Sequence, residues 1–168
     1  MRLRPTFARL LLPLAVLLTT PAAAVRRFEA QVVRVKDGDS LVVERKDVKR
    51  QAEIRMAGID APELAQPWGA TARTAMRQLV MGMTVVIEVT DKDRYGRLVG
   101  RVFQGRTYVN AAMTRSGNAW AFDRYLADDE IRKGQEEAQQ AKRGIWSLPP
   151  EKRLPPATWR KLHPRKGQ

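Results

Sequence analysis

Five short apolar runs constrain this chain most. They are "VVRV" (Val32–Val35), "SLVVE" (Ser40–Glu44), "AEIRM" (Ala52–Met56), "TVVIEV" (Thr84–Val89) and "LVGRVF" (Leu98–Phe103). Each has strand length, and charged or turn-forming residues break the chain between them. Asp37-Gly38 separates the first two and predicts a hairpin. The charged loop Arg45–Gln51 leads to the third. After the Ala61-Pro62 break, Ala72, Ala75, Met76, Leu79 and Val80 recur at helical spacing, which predicts a helix over about Trp68–Met81 ended by Gly82.

The second half turns helical. Val109–Gly117 predicts a short helix, and Asp128–Arg143 a longer one with acids in its first turn and bases in its last. Five strands in meander-like order with a helix after the third predict an α+β, β-rich fold: a five-stranded OB-fold barrel with about three α-helices. A split sheet with helices on one face is the rival topology.

The ends divide from this body. Residues 1–24 combine Arg2, Arg4 and Arg9, the apolar run Leu10–Leu18 and Ala22-Ala23-Ala24, the pattern of a secretory signal peptide. The run is short and broken by proline, so no stable membrane insertion is expected after cleavage. An uncleaved amphipathic anchor is the alternative. The domain is expected at 25–147, followed by a basic, Pro-rich, flexible tail at 148–168. Export to the periplasm or the medium follows.

Lysines and arginines number 31 against 18 acids, a formal net charge of +13. Loss of the leader removes three arginines and no acids and leaves +10. That surplus draws polyanions, either nucleic acid or an anionic membrane surface. There is no cysteine, and the only histidine is His163 in the tail. Disulfide staples, thiol nucleophiles, structural zinc and Ser-His-Asp triads are thereby set aside. Enzymatic chemistry here must run on carboxylates.

Three stretches at strand ends carry candidate chemistry: "KDGDS" (Lys36–Ser40), "RMAGIDAPE" (Arg55–Glu63) and "DKDRYGR" (Asp91–Arg97). Asp37 is explained as a turn former. Asp39 and Asp60 stand at strand rims, and if the rims converge they make, with a backbone carbonyl and water, a hard oxygen site suited to Ca²⁺. Arg55 and Arg97 are each explicable as surface residues. Together they can grip a phosphodiester and neutralise transition-state charge. Glu63 can then orient or deprotonate a water, or simply be a solvated acid at a helix start.

The ordered set "DGDS … IRMAGIDAPE … DRYGR … VNAAM … GIW" resembles the staphylococcal nuclease (thermonuclease) family over roughly Val32–Trp146. The resemblance implies an OB-type barrel and a Ca²⁺-dependent phosphodiesterase that hydrolyses DNA and RNA at the 5′ P–O bond, leaving 3′-phosphate ends. Carried over by position, Asp39, Asp60 and the Ala61 carbonyl are metal ligands, and Arg55, Glu63 and Arg97 are catalytic. Arg94, Tyr95 and Tyr125 bind substrate, with single-stranded DNA and RNA preferred and a monomer expected. Ser40 and Ala61 stand where the founding enzyme has threonines, and Arg94 stands for a lysine. "AWAFDRY" has Asp123 where a second aromatic is expected. Two other readings remain: a catalytically inactive OB-fold module that binds nucleic acid or peptide, and a basic protein on a membrane surface. The presence of all five of Asp39, Arg55, Asp60, Glu63 and Arg97 favours the enzyme.

Overall fold

The computed structural model describes residues 26–122 and 127–164. Its strands are β1 (Arg26–Val35), β2 (Ser40–Arg45), β3 (Gln51–Met56), β4 (Ile59–Asp60), β5 (Thr84–Lys92), β6 (Leu98–Gln104), β7 (Thr107–Tyr108) and β8 (Trp120–Ala121). Its helices are α1 (Gly69–Val80), α2 (Val109–Arg115), α3 (Asp129–Gln140) and α4 (Pro156–Leu162).

Strands β1, β2, β3, β6 and β5 close into a five-stranded barrel. Every neighbouring pair is antiparallel except β3–β6, whose parallel pairing of Ile54 with Leu98, Arg55 with Val99 and Met56 with Gly100 seals the ring. The small strands β4 and β8 pair outside it, Ile59 with Ala121 and Asp60 with Trp120. This is the α+β OB-type barrel expected from the strand order.

Inward-facing Val32, Val35, Leu41, Val43, Ile54 and Ile87 fill the barrel. Helix α1 closes one opening with Ala72, Met76 and Val80, the stripe its periodicity predicts. Truncating a fully buried residue such as Met76 to alanine costs about 2–5 kcal/mol. Helix α3 lies on α2, with the Thr114 hydroxyl donating to the Ile131 carbonyl at 3.0 Å. Asp128 caps α3 by accepting from the Glu130 and Ile131 amides. Asn110, fully buried, donates to the Ala57 carbonyl and accepts from the Val102 amide, tying the approach to Asp60 onto the barrel.

The hairpin expected at Asp37-Gly38 forms between β1 and β2, through the connection Lys36–Asp39 closed by the Lys36 amide on the Ser40 carbonyl. One expectation changes. The segment after Leu148, expected to be a flexible tail, instead holds a 3-10 turn (Pro150–Lys152) and α4, a fourth helix. Pro155 and Pro156 hold φ at a helix-compatible value where no amide donor is needed. The Gln66 side chain fixes the segment by donating to the Leu154 carbonyl at 2.6 Å. Residues 1–24 lie outside the described residues. Among those described, no helix is long and apolar enough to cross a membrane.

Candidate active site

The β1–β2 loop supplies the first carboxylate. Asp37 accepts from the Asp39 amide at 3.0 Å, which turns the chain so that Asp39 points inward, 6 % exposed. Asp39 Oδ2 accepts from the Ala61 amide at 2.7 Å, and Oδ1 from the Ser40 hydroxyl at 3.0 Å. A Cβ on Gly38 would fall 2.6 Å from the Ala61 Cβ, so only glycine lets the first loop lie this close to the second. Burial first, then the Asp39 charge, push the Asp37 carboxyl up to about 7.

The second loop leaves β3. Arg55 is nearly buried, and its Nη1 donates to the Met56 carbonyl at 2.6 Å. Its Nη2 lies 3.2 Å from Asp60 Oδ1 and 3.4 Å from Asp39 Oδ2. One guanidinium nitrogen thus bridges the two carboxylates that the sequence separates by 21 positions. Asp60 is 2 % exposed. Burial pushes its carboxyl upward, and Asp39 adds to this, while hydrogen bonding from Arg160 and the charges of Arg55 and Arg160 pull against it.

Glu63 follows Pro62. Its amide donates to Gln66 Oε1, and its carbonyl accepts from the Gln66 amide. A Cβ on Gly69 would meet that carbonyl oxygen at 1.9 Å, so the start of α1 can seat Glu63 only with glycine there.

The third loop joins β5 to β6. Asp93 Oδ1 accepts from the Tyr95 and Arg97 amides, and Oδ2 from Arg97 Nε at 2.7 Å. Desolvation pushes the Asp93 carboxyl up, but these hydrogen bonds outweigh it and hold it below the usual carboxylate value. Arg97 in turn faces Glu53 on β3, Nη1 to Oε1 3.9 Å. Burial works against its charge, but the bond to Asp93 and the charges of Asp93, Glu53 and Asp39 outweigh this and raise its pKa. Glu53 and Arg55 are two apart on one strand, hence on one face. Tyr95 is exposed, with the Arg94 and Arg97 guanidiniums 4.8 and 5.7 Å from its ring centre.

The structure therefore gathers Asp39, Arg55, Asp60 and Glu63 and sets Arg97 beside them. Ala61 is buried between Asp39 and Pro62, and Arg94 and Tyr95 form an exposed rim. Tyr125 lies outside the described residues. Sequence reasoning missed Arg160. From α4 its Nη1 and Nη2 reach Asp60 Oδ1 and Oδ2 at 3.2 and 2.9 Å, and Nη1 reaches Glu63 Oε1 at 2.9 Å. Burial works against the Arg160 charge, but its bonds to Asp60 and Glu63 outweigh this and raise its pKa. Pro155-Pro156 before "ATWRKL" was the available signal, a helix start within a segment otherwise composed like a tail.

Chemically, the cluster sets three carboxylates, Asp39, Asp60 and Glu63, against Arg55 and Arg160, with Arg97 beside them. Buried carboxylate oxygens are the donors a hard cation prefers. Among the described residues no three acidic, histidine or cysteine side chains converge as a complete cage. A cation on Asp39 and Asp60 would therefore draw its remaining ligands from backbone and water.

Residues 53–148 match the family model described as staphylococcal nuclease homologue. An uncharacterized endonuclease of Escherichia coli O157:H7 is 40% identical over 134 residues, covering 79% of this chain and 85% of that protein. A micrococcal nuclease of Shigella flexneri is 35% identical over 147 residues, 80% of this chain and 83% of its own. The rice (Oryza sativa subsp. japonica) protein named probable staphylococcal-like nuclease CAN2 is 42% identical over 113 residues, 67% of this chain but 30% of its own length.

Proposed function

Because the chain belongs to the staphylococcal nuclease homologue family, we propose that it is a Ca²⁺-dependent phosphodiesterase. It hydrolyses DNA and RNA at the 5′ P–O bond and leaves 3′-phosphate ends. The observation that carries this reading is Arg55 Nη2, which lies within 3.4 Å of both Asp39 and Asp60.

Asp39, Asp60 and the Ala61 carbonyl would hold the calcium ion, which when bound would supply Lewis-acid polarisation of the phosphate and of a water. Glu63 orients that water toward phosphorus or takes its proton at the carboxylate. Gln66 fixes the Glu63 backbone for this task. Arg55 and Arg97 bind the non-bridging phosphate oxygens and stabilise the charge that grows on them as phosphorus becomes five-coordinate. Asp93 prepares Arg97 by holding its Nε, and Glu53 faces its Nη1. Arg94 and Tyr95 steady the sugar and the adjoining phosphate on the exposed rim, and the family resemblance assigns Tyr125 to substrate binding.

The exposed Arg94 and Tyr95 leave room for a flexible strand, which supports single-stranded DNA and RNA as substrates. The leader-like residues 1–24 support an exported protein that meets calcium and nucleic acid outside the cytoplasm. The test is a calcium titration of cutting on single-stranded DNA and RNA, with the fragment ends identified. Calcium-dependent cleavage to 3′-phosphate and 5′-hydroxyl ends is expected. Cutting that persists in excess chelator, or 5′-phosphate ends, would reject it.

A further inference from the structure

Asp60 is already crowded. An ionised carboxylate offers about four lone-pair sites. Arg55 Nη2 and Arg160 Nη1 take Oδ1, and Arg160 Nη2 takes Oδ2. The Arg160 fork also spans to Glu63. One site on Oδ2 remains, so a cation that binds Asp60 sits directly against guanidinium groups already on that carboxylate, and the two arginines differ in which can leave. Arg55 has a side chain 9 % exposed and is held on three sides, by the Met56 carbonyl, Asp39 and Asp60. Arg160 has a side chain 45 % exposed and rides on a seven-residue helix. Among the described contacts, that helix is joined to the domain chiefly through buried Pro156, the Gln66–Leu154 bond and Arg160 itself.

Taking Asp60 as a cation ligand, as the proposed function does, we infer that Arg160 is the resting counter-ion of the cleft, which the incoming divalent cation displaces, releasing α4. A guanidinium beside a dication on one carboxylate is repelled, and the repulsion is strong where water is scarce. The mobile partner yields. The energy of the Arg160 contacts is then subtracted from metal binding, since a ligand shifts an equilibrium only by its differential affinity for the two states. The C-terminal helix thus sets how much calcium the site needs.

The test uses the full mature chain. Calcium binding is followed by titration calorimetry in wild type, Arg160→Ala and Arg160→Gln, and hydrogen exchange is followed across residues 154–162. Calcium should bind both variants about tenfold tighter, the ratio that one strong charged contact represents. In wild type, calcium should speed exchange in 154–162, whereas in the variants that segment exchanges fast without calcium. Arg160→Lys, which keeps the charge but loses the fork, should fall between. Equal or weaker calcium binding in Ala and Gln variants that keep the wild-type melting temperature overturns the proposal, as does exchange in 154–162 that ignores calcium. If wild type binds calcium and cuts while these outcomes fail, the nuclease reading stands and only the role of Arg160 falls. If wild type neither binds calcium nor cuts, both fall.

Discussion

Gly69 packs against the backbone of Glu63 so closely that a Cβ at residue 69 would lie 1.9 Å from the Glu63 carbonyl oxygen. The first residue of α1 and the acid assigned to water are therefore one mechanical unit. In Gly69→Ala the backbone, which has no rotamer to adopt, must move. A loss of about 1–3 kcal/mol is expected from overpacking of this kind, together with a fall in turnover larger than the melting shift explains. Thermal unfolding and kcat on the same preparation check this; an alanine variant with wild-type values for both would show that the loop moves freely.

Arg97 owes its direction to Asp93, which binds its Nε. Removing the fork in Arg97→Ala should lower kcat by roughly 10²–10³, the usual effect of losing one positioned charge donor in a transition-state site. Arg97→Lys should restore little, because an ammonium cannot bond Asp93 and phosphate together in that plane. A lysine variant with near-normal turnover would reduce Arg97 to a general positive charge.

Glu63→Gln keeps the shape of the side chain and removes its basicity. A fall in kcat of about 10²–10⁴ with KM nearly unchanged is expected of a residue that handles the water's proton. A change confined to KM would move Glu63 from the reacting water to substrate binding.

The Asp93–Arg97 pair also sets an acid limit. Because the folded-state pKa of Asp93 is depressed, its contribution to stability is complete above the unfolded value near pH 4 and is lost as pH falls through the lower folded value. Denaturant unfolding of wild type and Asp93→Asn from pH 6 to pH 2 should show a gap in wild type's favour that narrows only below about pH 4. A gap that grows on acidification would reverse the sign.

The barrel was legible because each strand announces itself. The runs around Val32, Leu41, Ile54, Val86 and Val99 all fall within strands, and the helix stripe Ala72, Met76 and Val80 faces the core as its spacing requires. Convergence of Asp39 with Asp60 was legible only as a condition, since it depends on β1–β2 packing against the β3 exit. Gly38 provides that closeness, and a hairpin signal such as Asp37-Gly38 says nothing of which loop packs against it. Arg160 escaped notice for a physical reason: α4 is too short to show a period, and the segment's charge and proline content mimic those of an unstructured tail. Gln66, which holds Glu63 and Leu154, and Glu53, which faces Arg97, act through isolated polar contacts and leave no pattern along the chain.

A shared ion between Asp39 and Asp60 is the claim on which the chemistry depends, and calcium calorimetry on wild type, Asp39→Asn and Asp60→Asn tests it most directly. One calcium per wild-type chain is expected, with binding lost or weakened at least about tenfold in each variant. Wild-type affinity in either variant would contradict it, because the two carboxylates would then not hold the same cation.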